Sequence, residues 1–101
     1  MNNPKSISLI FPLYRDKYTV IKVINKSLKI LKKLKIKYEI IIVDDCCPEK
    51  SGLIALKHSK KNKKIKVIFH KKNFGYGAAI RSGFKNSKYE CVYAVDGDGE
   101  F

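Results

Sequence analysis

The chain has 101 residues, with 22 Lys and Arg against 9 Asp and Glu, a formal net charge of +13. This length allows one small domain with one core, and the hydrophobic fraction of 45% excludes bulk disorder. The basic excess is typical of chains that bind nucleic acid, anionic membranes or phosphate-rich ligands. It is also typical of a lysine-rich solvated surface, and composition alone does not decide between these interpretations.

The first half of the chain predicts two strands and a helix. Ile7–Phe11 is an almost continuous apolar run that stops at Pro12, which is typical of a strand buried on both faces. Steps of three and four between apolar residues predict an amphipathic helix over Tyr18–Leu34, with Asp16 as its N-cap. Tyr38–Val43, rich in β-branched residues, is a second buried strand.

The alternation continues to the end of the chain. A short helix is predicted over Leu53–His58, with Ser51 or Gly52 near its start. A strand is predicted over Ile65–Phe69, a helix over Ala78–Phe84 and a strand over Cys91–Val95. The order β-α-β-α-β-α-β predicts an α/β, Rossmann-like fold with a mostly parallel four-stranded sheet and helices on both faces. Because the last strand is followed by no helix, we expect residues 1–101 to be part of a domain that continues beyond Phe101.

Polar residues collect where the strands end. In open parallel sheets, ligands bind beyond the carboxyl ends of the strands, near the point where the strand order reverses. Asp44 and Asp45 follow the second strand, where a carboxylate can accept hydrogen bonds from a base or a ribose. One of the two could instead cap the next helix, and both interpretations can hold, one for each residue.

The segment after the fourth strand is acidic. Asp96 and Asp98 are separated by one glycine and are followed by Glu100. Carboxylate oxygens are the ligands that Mg²⁺ and Mn²⁺ prefer, and such an ion can bridge to a diphosphate. The alternative is an acidic turn at the end of a strand.

A glycine-rich turn precedes the third helix. Gly75 and Gly77 could expose backbone N–H groups to a phosphate, with Arg81 one turn inside the helix, or could simply allow close packing. The spacing differs from the dinucleotide fingerprint. His58 and His70 lie among lysines, and both are interpreted as surface residues without a partner.

The cysteines and the N-terminal sequence bear on the cellular compartment and on zinc binding. Cys46 and Cys47 are adjacent, which disfavours a disulfide between them, and Cys91 lies in an apolar run. No zinc-ligand spacing occurs, and the pattern is typical of a reducing compartment. The sequence shows no signal peptide and no bilayer-spanning stretch. We expect a cytoplasmic chain, with peripheral association with the inner face of the plasma membrane left open.

Four segments together resemble the family-two glycosyltransferases, inverting enzymes with the GT-A fold. The resemblance is closest to the polyprenyl-phosphate sugar synthases, such as dolichyl-phosphate mannose synthase. It rests on the opening strand with its Pro-Leu-Tyr end, the second strand with its acid pair, the glycine-rich segment and an Asp-x-Asp motif. These are residues 7–14, 38–45, 73–84 and 96–101.

The resemblance implies roles for particular residues. The nucleotide-sugar site would include Pro12, Tyr14, Asp44, Asp45, Asn73, Gly75, Arg81 and Asp96. A Mg²⁺ or Mn²⁺ ion would be held by Asp96, Asp98 and Glu100. No catalytic base is identified. The sequence departs from the family pattern at Arg15, at residues 46–49 and at Glu100, and the change at 46–49 alters the turn beside the base pocket.

The implied function is metal-assisted, inverting transfer of a sugar from a nucleoside-diphosphate sugar to a lipid phosphate or a saccharide, in the synthesis of cell-envelope polysaccharide or glycolipid. This segment alone could be inactive, because the acceptor side of the family lies further along the chain. The alternative is a non-catalytic basic module that binds nucleic acid or an anionic membrane, although clustered acids at the sheet edge disfavour nucleic acid. A nucleotidyltransferase would need a glycine-rich, basic loop after the first strand, which Pro12–Asp16 lacks.

Overall fold

The protein is a four-stranded parallel sheet with helices on both faces. The computed structural model describes residues 6–13, 17–46 and 51–94. The elements, in chain order, are β1 Ser6–Leu13, α1 Lys17–Leu34, β2 Lys37–Asp44, α2 Ser51–Lys61, β3 Ile65–Phe69, α3 Tyr76–Lys85 and β4 Cys91–Ala94. The predicted order and the predicted fold class are confirmed.

The strand order across the sheet is β3-β2-β1-β4, and every pairing is parallel. The chain moves outward from β1 to β2 and β3, then returns to place β4 on the other side of β1. The order therefore reverses at β1, and the carboxyl ends of β1 and β4 flank the place where open α/β sheets bind ligands.

Two apolar cores lie on the two faces of the sheet. Alternate residues of each strand point to opposite faces, so β1 and β2 supply both cores. The larger core packs α1 and α2 against one face, through residues such as Phe11, Ile24 and Ile42. The smaller core packs α3 against the other face and contains Ile10, Ile41, Val43 and Ala79.

The sequence predicted that the first strand stops at Pro12, and this prediction is wrong. β1 continues to Leu13, and Pro12 is in register with Val43 of β2. A proline inside a strand lacks the N–H that a second neighbour would need. Among the described residues, pairing of β1 with β4 ends at Ile10, so no described β4 residue needs that donor.

The helices extend further than their apolar periodicity indicated. α2 covers Ser51–Lys61 where Leu53–His58 was predicted, and α3 covers Tyr76–Lys85 where Ala78–Phe84 was predicted. Their added turns are polar or glycine-containing, so they carry no apolar repeat. Asp16, the predicted N-cap of α1, lies outside the described residues.

Candidate functional site: a pocket at the carboxyl edge of the sheet

The two adjacent acids that end β2 have different partners. Asp44 is buried, and its Oδ2 accepts a hydrogen bond from the Gly52 amide in the first turn of α2, at 2.8 Å. This is the helix-capping interaction that the sequence left open for one member of the pair. The backbone oxygen of Asp44 also accepts a hydrogen bond from the His70 amide, which joins the ends of β2 and β3.

Asp45 binds the loop that connects β3 to α3. Its Oδ1 accepts a hydrogen bond from the Phe74 amide at 2.9 Å and lies 2.8 Å from His70 Nδ1. Its Oδ2 accepts one from the Gly75 amide at 2.8 Å. Burial by itself would raise the pKa of the Asp45 carboxyl, but His70 and the two amides lower this pKa below its usual value. Asp45 is therefore an ionised group fixed in one position.

His70 is a functional candidate that the sequence interpretation missed. The prediction of a surface histidine without a partner is wrong, because the His70 side chain is largely buried between Asp45 and Ser82. Its Nε2 lies 2.7 Å from Ser82 Oγ on α3, and its ring meets the Phe74 ring edge-on at a centroid distance of 5.4 Å. The available signal was its position directly after β3, at the same sheet edge as the acids.

The start of α3 depends on a glycine backbone. Gly75 is the N-cap of α3 and has a φ of 97°, which lies in the region that side chains disfavour. Its amide also lies 3.1 Å from Asn73 Oδ1, so the turn is held by Asn73 as well as by Asp45. Among the described residues, no side chain caps the first turn of α3. The first-turn amides of this helix are therefore suited to an anion.

A pocket of about 340 Å³ lies at the carboxyl ends of β1 and β2, beside Asp45 and Gly75. Among the described residues, its lining consists of Pro12, Leu13, Asp45, Asn73, Gly75, Tyr76 and Ala79. Four predicted site residues thus come together, namely Pro12, Asp45, Asn73 and Gly75. Leu13, Tyr76 and Ala79 were not predicted, because their apolar or aromatic side chains carry no signal that separates pocket lining from core.

Of the other predicted site residues, the two that the structure describes, Asp44 and Arg81, are not in this lining. Asp44 is directed to α2, and Arg81 is exposed on α3. Tyr14, Asp96, Asp98 and Glu100 lie outside the described residues. The predicted contacts of these residues with nucleotide or metal remain predictions.

The described part of the chain contains no alternative to the predicted metal ligands. Residues 6–13, 17–46 and 51–94 contain no cluster of three His, Cys, Asp or Glu side chains that could hold a metal ion. Asp44 and Asp45 already accept hydrogen bonds from backbone amides, which leaves them poorly suited to be ligands. The predicted ligands of a divalent ion, in the Asp96–Glu100 segment, lie outside the described residues and remain a prediction. Across the described ranges, no helix has the length and apolar character needed to cross a bilayer.

Solved structures with the same architecture support the GT-A assignment. The chain superimposes on S. aureus TarS 1-349 in complex with UDP-GlcNAc with a TM-score of 0.75 and 28% identity, covering 92% of this chain and 26% of TarS 1-349. It superimposes on the mannosyltransferase PcManGT from Pyrobaculum calidifontis, in complex with GDP-Man and Mn²⁺, with a TM-score of 0.74. That second match has 16% identity, covers 96% of this chain and 28% of PcManGT, and supports the fold alone.

Proteins that are similar in sequence are also sugar transferases. The human dolichyl-phosphate beta-glucosyltransferase is 31% identical in an alignment that covers 94% of this chain and 32% of that enzyme. The undecaprenyl-phosphate 4-deoxy-4-formamido-L-arabinose transferase of Photorhabdus laumondii is 27% identical over 93% of this chain and 29% of its own length. The chain thus spans about a third of the length of these relatives. Residues 8–101 match the family described as glycosyl transferase family 2, and the chain belongs to that family.

Proposed function

We propose that this chain forms the donor-binding part of a glycosyltransferase that moves a sugar from a nucleoside-diphosphate sugar to a polyprenyl phosphate, with inversion and with the help of a divalent cation. The observation that carries the proposal is the Asp45 carboxylate, ionised and fixed at the wall of a pocket at the carboxyl edge of a parallel sheet. The names of the two polyprenyl-phosphate sugar transferases among its relatives support the acceptor.

The residues of the pocket suit the parts of a sugar nucleotide. Asp45 would accept a hydrogen bond from the base, while Pro12 and Tyr76 would provide apolar surface beside it. The uncapped first turn of α3 would face the negative charge of the diphosphate. Tyr14, Asn73, Arg81 and Asp96 complete the proposed donor site, while Asp44 caps α2.

The proposed cation would be held by Asp96, Asp98 and Glu100. When bound, Mg²⁺ or Mn²⁺ would neutralise the charge that develops on the departing diphosphate. Ala94 of β4 pairs with Ile10, two residues before Pro12 on β1, and Asp96 follows Ala94 by two residues. This register of β4 against β1 supports a cation site beside the pocket. A phosphate acceptor is already anionic and needs little help from a base.

Nucleotide binding by the 101-residue chain tests the proposal. Titration calorimetry with UDP and GDP, with and without Mn²⁺, should show binding that depends on Mn²⁺. Asp98→Ala should weaken it about tenfold or more, since even residues that only support metal ligands contribute this much. Glu90→Ala, which removes an exposed acid from the loop before β4, should leave binding unchanged.

A basic module without enzymatic activity would behave differently in the same assay. It would bind RNA or anionic vesicles with steep salt dependence and would be indifferent to Asp98→Ala and to Mn²⁺. That result would contradict the donor-site proposal. Cytoplasmic location, with peripheral contact at the inner face of the plasma membrane, belongs to the proposal because a polyprenyl-phosphate acceptor is a membrane lipid.

A further inference from the structure

The Asp45 carboxylate has few acceptor positions left for a ligand. An ionised carboxylate offers about four lone-pair positions, two on each oxygen. Within the described part of the chain, Oδ1 accepts from the Phe74 amide and contacts His70, and Oδ2 accepts from the Gly75 amide. Both positions on Oδ1 are therefore filled, and one position on Oδ2 is open.

His70 is held so that it donates to Asp45. Because an ionised carboxylate only accepts, the proton between the two groups lies on His70 Nδ1. The Ser82 hydroxyl beside Nε2 can either donate or accept a hydrogen bond, so it can pair with that ring nitrogen. Contact with the Phe74 ring restrains the imidazole from a further side. The donor to Oδ1 is thus held in place behind Asp45, which lines the pocket.

We propose that His70 is a positioning residue that sets base selectivity: by filling Asp45 Oδ1 it leaves one acceptor, on Oδ2, which favours uracil over guanine. This inference rests on the proposed donor site. Uracil presents one ring N–H on its pairing edge, and one open acceptor satisfies it. Guanine presents a ring N–H and an adjacent amino group, and pairing both with one carboxylate requires an open position on each oxygen.

The expected selectivity follows from the donor that guanine would leave unpaired. An unpaired polar group in a site that excludes water costs enough to change affinity about tenfold or more. UDP and GDP carry the same diphosphate and therefore the same cation and helix contacts. Their affinity ratio isolates the base, and a change in pocket stability alone would not move this ratio.

Two substitutions of His70 distinguish the contacts made by its two ring nitrogens. The side-chain amide of His70→Asn can replace Nδ1, so this variant should keep the donor to Asp45 and the preference for UDP. The side-chain amide of His70→Gln reaches instead toward the position of Nε2 and Ser82, which frees one position on Oδ1. His70→Gln should lower the UDP-to-GDP affinity ratio several-fold, about the effect of one hydrogen bond. His58→Gln on α2 is the matched control and should leave the ratio unchanged.

The measurement is titration of each variant with UDP and with GDP at one Mn²⁺ concentration, with ¹H–¹⁵N spectra to confirm folding. The inference would be overturned if the unmodified chain bound UDP and GDP equally, or if folded His70→Gln had an unchanged affinity ratio. Either result would leave the proposed donor site in place. Absence of binding by either nucleotide would overturn the proposed function and this inference together. If His70→Gln does not fold, His70→Ala, which also removes the donor to Asp45 Oδ1, should lower the ratio in the same direction, and an unchanged ratio there would refute the inference.

Discussion

Glu39 is a buried carboxylate on the α3 face of the sheet, at the end away from the pocket. Its Oε2 accepts hydrogen bonds from the Ser8 hydroxyl and the Lys88 amide, both at 2.6 Å, and its Oε1 lies 2.8 Å from Lys66 Nζ. Burial would raise the pKa of the Glu39 carboxyl, but Lys66, the Lys88 amide and Ser8 together lower it. This group ties the loop after α3 to the middle of the sheet.

Glu39→Ala should destabilise the protein by about 2 kcal/mol, because the Ser8 hydroxyl and the Lys88 amide would lose their acceptor. Lys66 adds little to this cost, since its side chain is 42% exposed and can be rehydrated. The free energy of unfolding in urea, measured by circular dichroism, tests this expectation. Glu90→Ala, an exposed acid in the same loop, is the control, and equal stability of the two variants would contradict the role assigned to Glu39.

Stability should also fall in acid because of Asp45 and Glu39. Both carboxyls have a pKa in the folded chain below the usual values of 3.8 and 4.5, so the folded state binds their protons less readily than the unfolded chain does. Their contribution is complete above those usual values and is lost as the pH falls through the lowered pKa values. Urea midpoints measured across this acidic range should decrease, and less steeply for Asp45→Asn. A midpoint that stays constant as the pH falls below 3.8 would contradict the pKa directions.

The elements could be predicted from the sequence to the extent that apolar spacing defined them. β2 and α1 were well defined, because one is a continuous β-branched run and the other an amphipathic repeat. The last three residues of α2 could not be predicted, since residues 59–61 are polar and their helical state shows only in backbone bonds such as Asn62 N to His58 O. Both faces of β2 are apolar, so spacing alone could not assign Asp44 and Asp45 to opposite helix layers.

α3 approaches β1 closely at Gly83. A Cβ added there would lie 3.0 Å or less from three carbon atoms of the fully buried Ile10 side chain. Gly83→Ala should therefore lower the free energy of unfolding by about 1–3 kcal/mol through overpacking, despite the better helix propensity of alanine.

Gly77→Ala is the matched control for this contact, since a Cβ at Gly77 meets nothing within 4 Å. It lies in the first turn of the same helix and should be neutral or stabilising by up to about 1 kcal/mol. Thermal or urea unfolding of the two variants makes the comparison. A Gly83→Ala protein as stable as Gly77→Ala would show that α3 does not pack on β1 as described.

Charge is unevenly distributed over the whole molecule. α1 carries six lysines and α2 carries three, and neither helix contains an acidic residue. Asp44 and Asp45, by contrast, lie at the carboxyl edge of the sheet. With a net charge of +13, repulsion among the lysines opposes the compact state.

Added salt should therefore stabilise the protein. Raising NaCl from about 20 mM to about 200 mM shortens the Debye length severalfold, and the urea midpoint should rise. Lys22→Glu combined with Lys29→Glu, both exposed on α1, should weaken this dependence. A midpoint that falls with salt would show that favourable ion pairs outweigh the repulsion.

The position of the pocket could be predicted from topology, but its internal contacts could not. Pro12, Asp45, Asn73 and Gly75 were predicted because strand ends share one edge of a parallel sheet. His70 was missed because its contacts join residues 25 and 12 positions apart in the chain, and these depend on how the β3–α3 loop closes.

The adjacency of Asp44 and Asp45 has a consequence for how the protein tolerates changes in length. Consecutive strand residues face opposite ways, so one carboxylate serves α2 and its neighbour serves the β3–α3 loop. Deleting or inserting a single residue within β2 would exchange their directions and disrupt both the helix cap and the pocket wall, even with both acids retained. Insertion or deletion of one residue should therefore be far better tolerated in the turn between Asn62 and Lys64 than anywhere along β2.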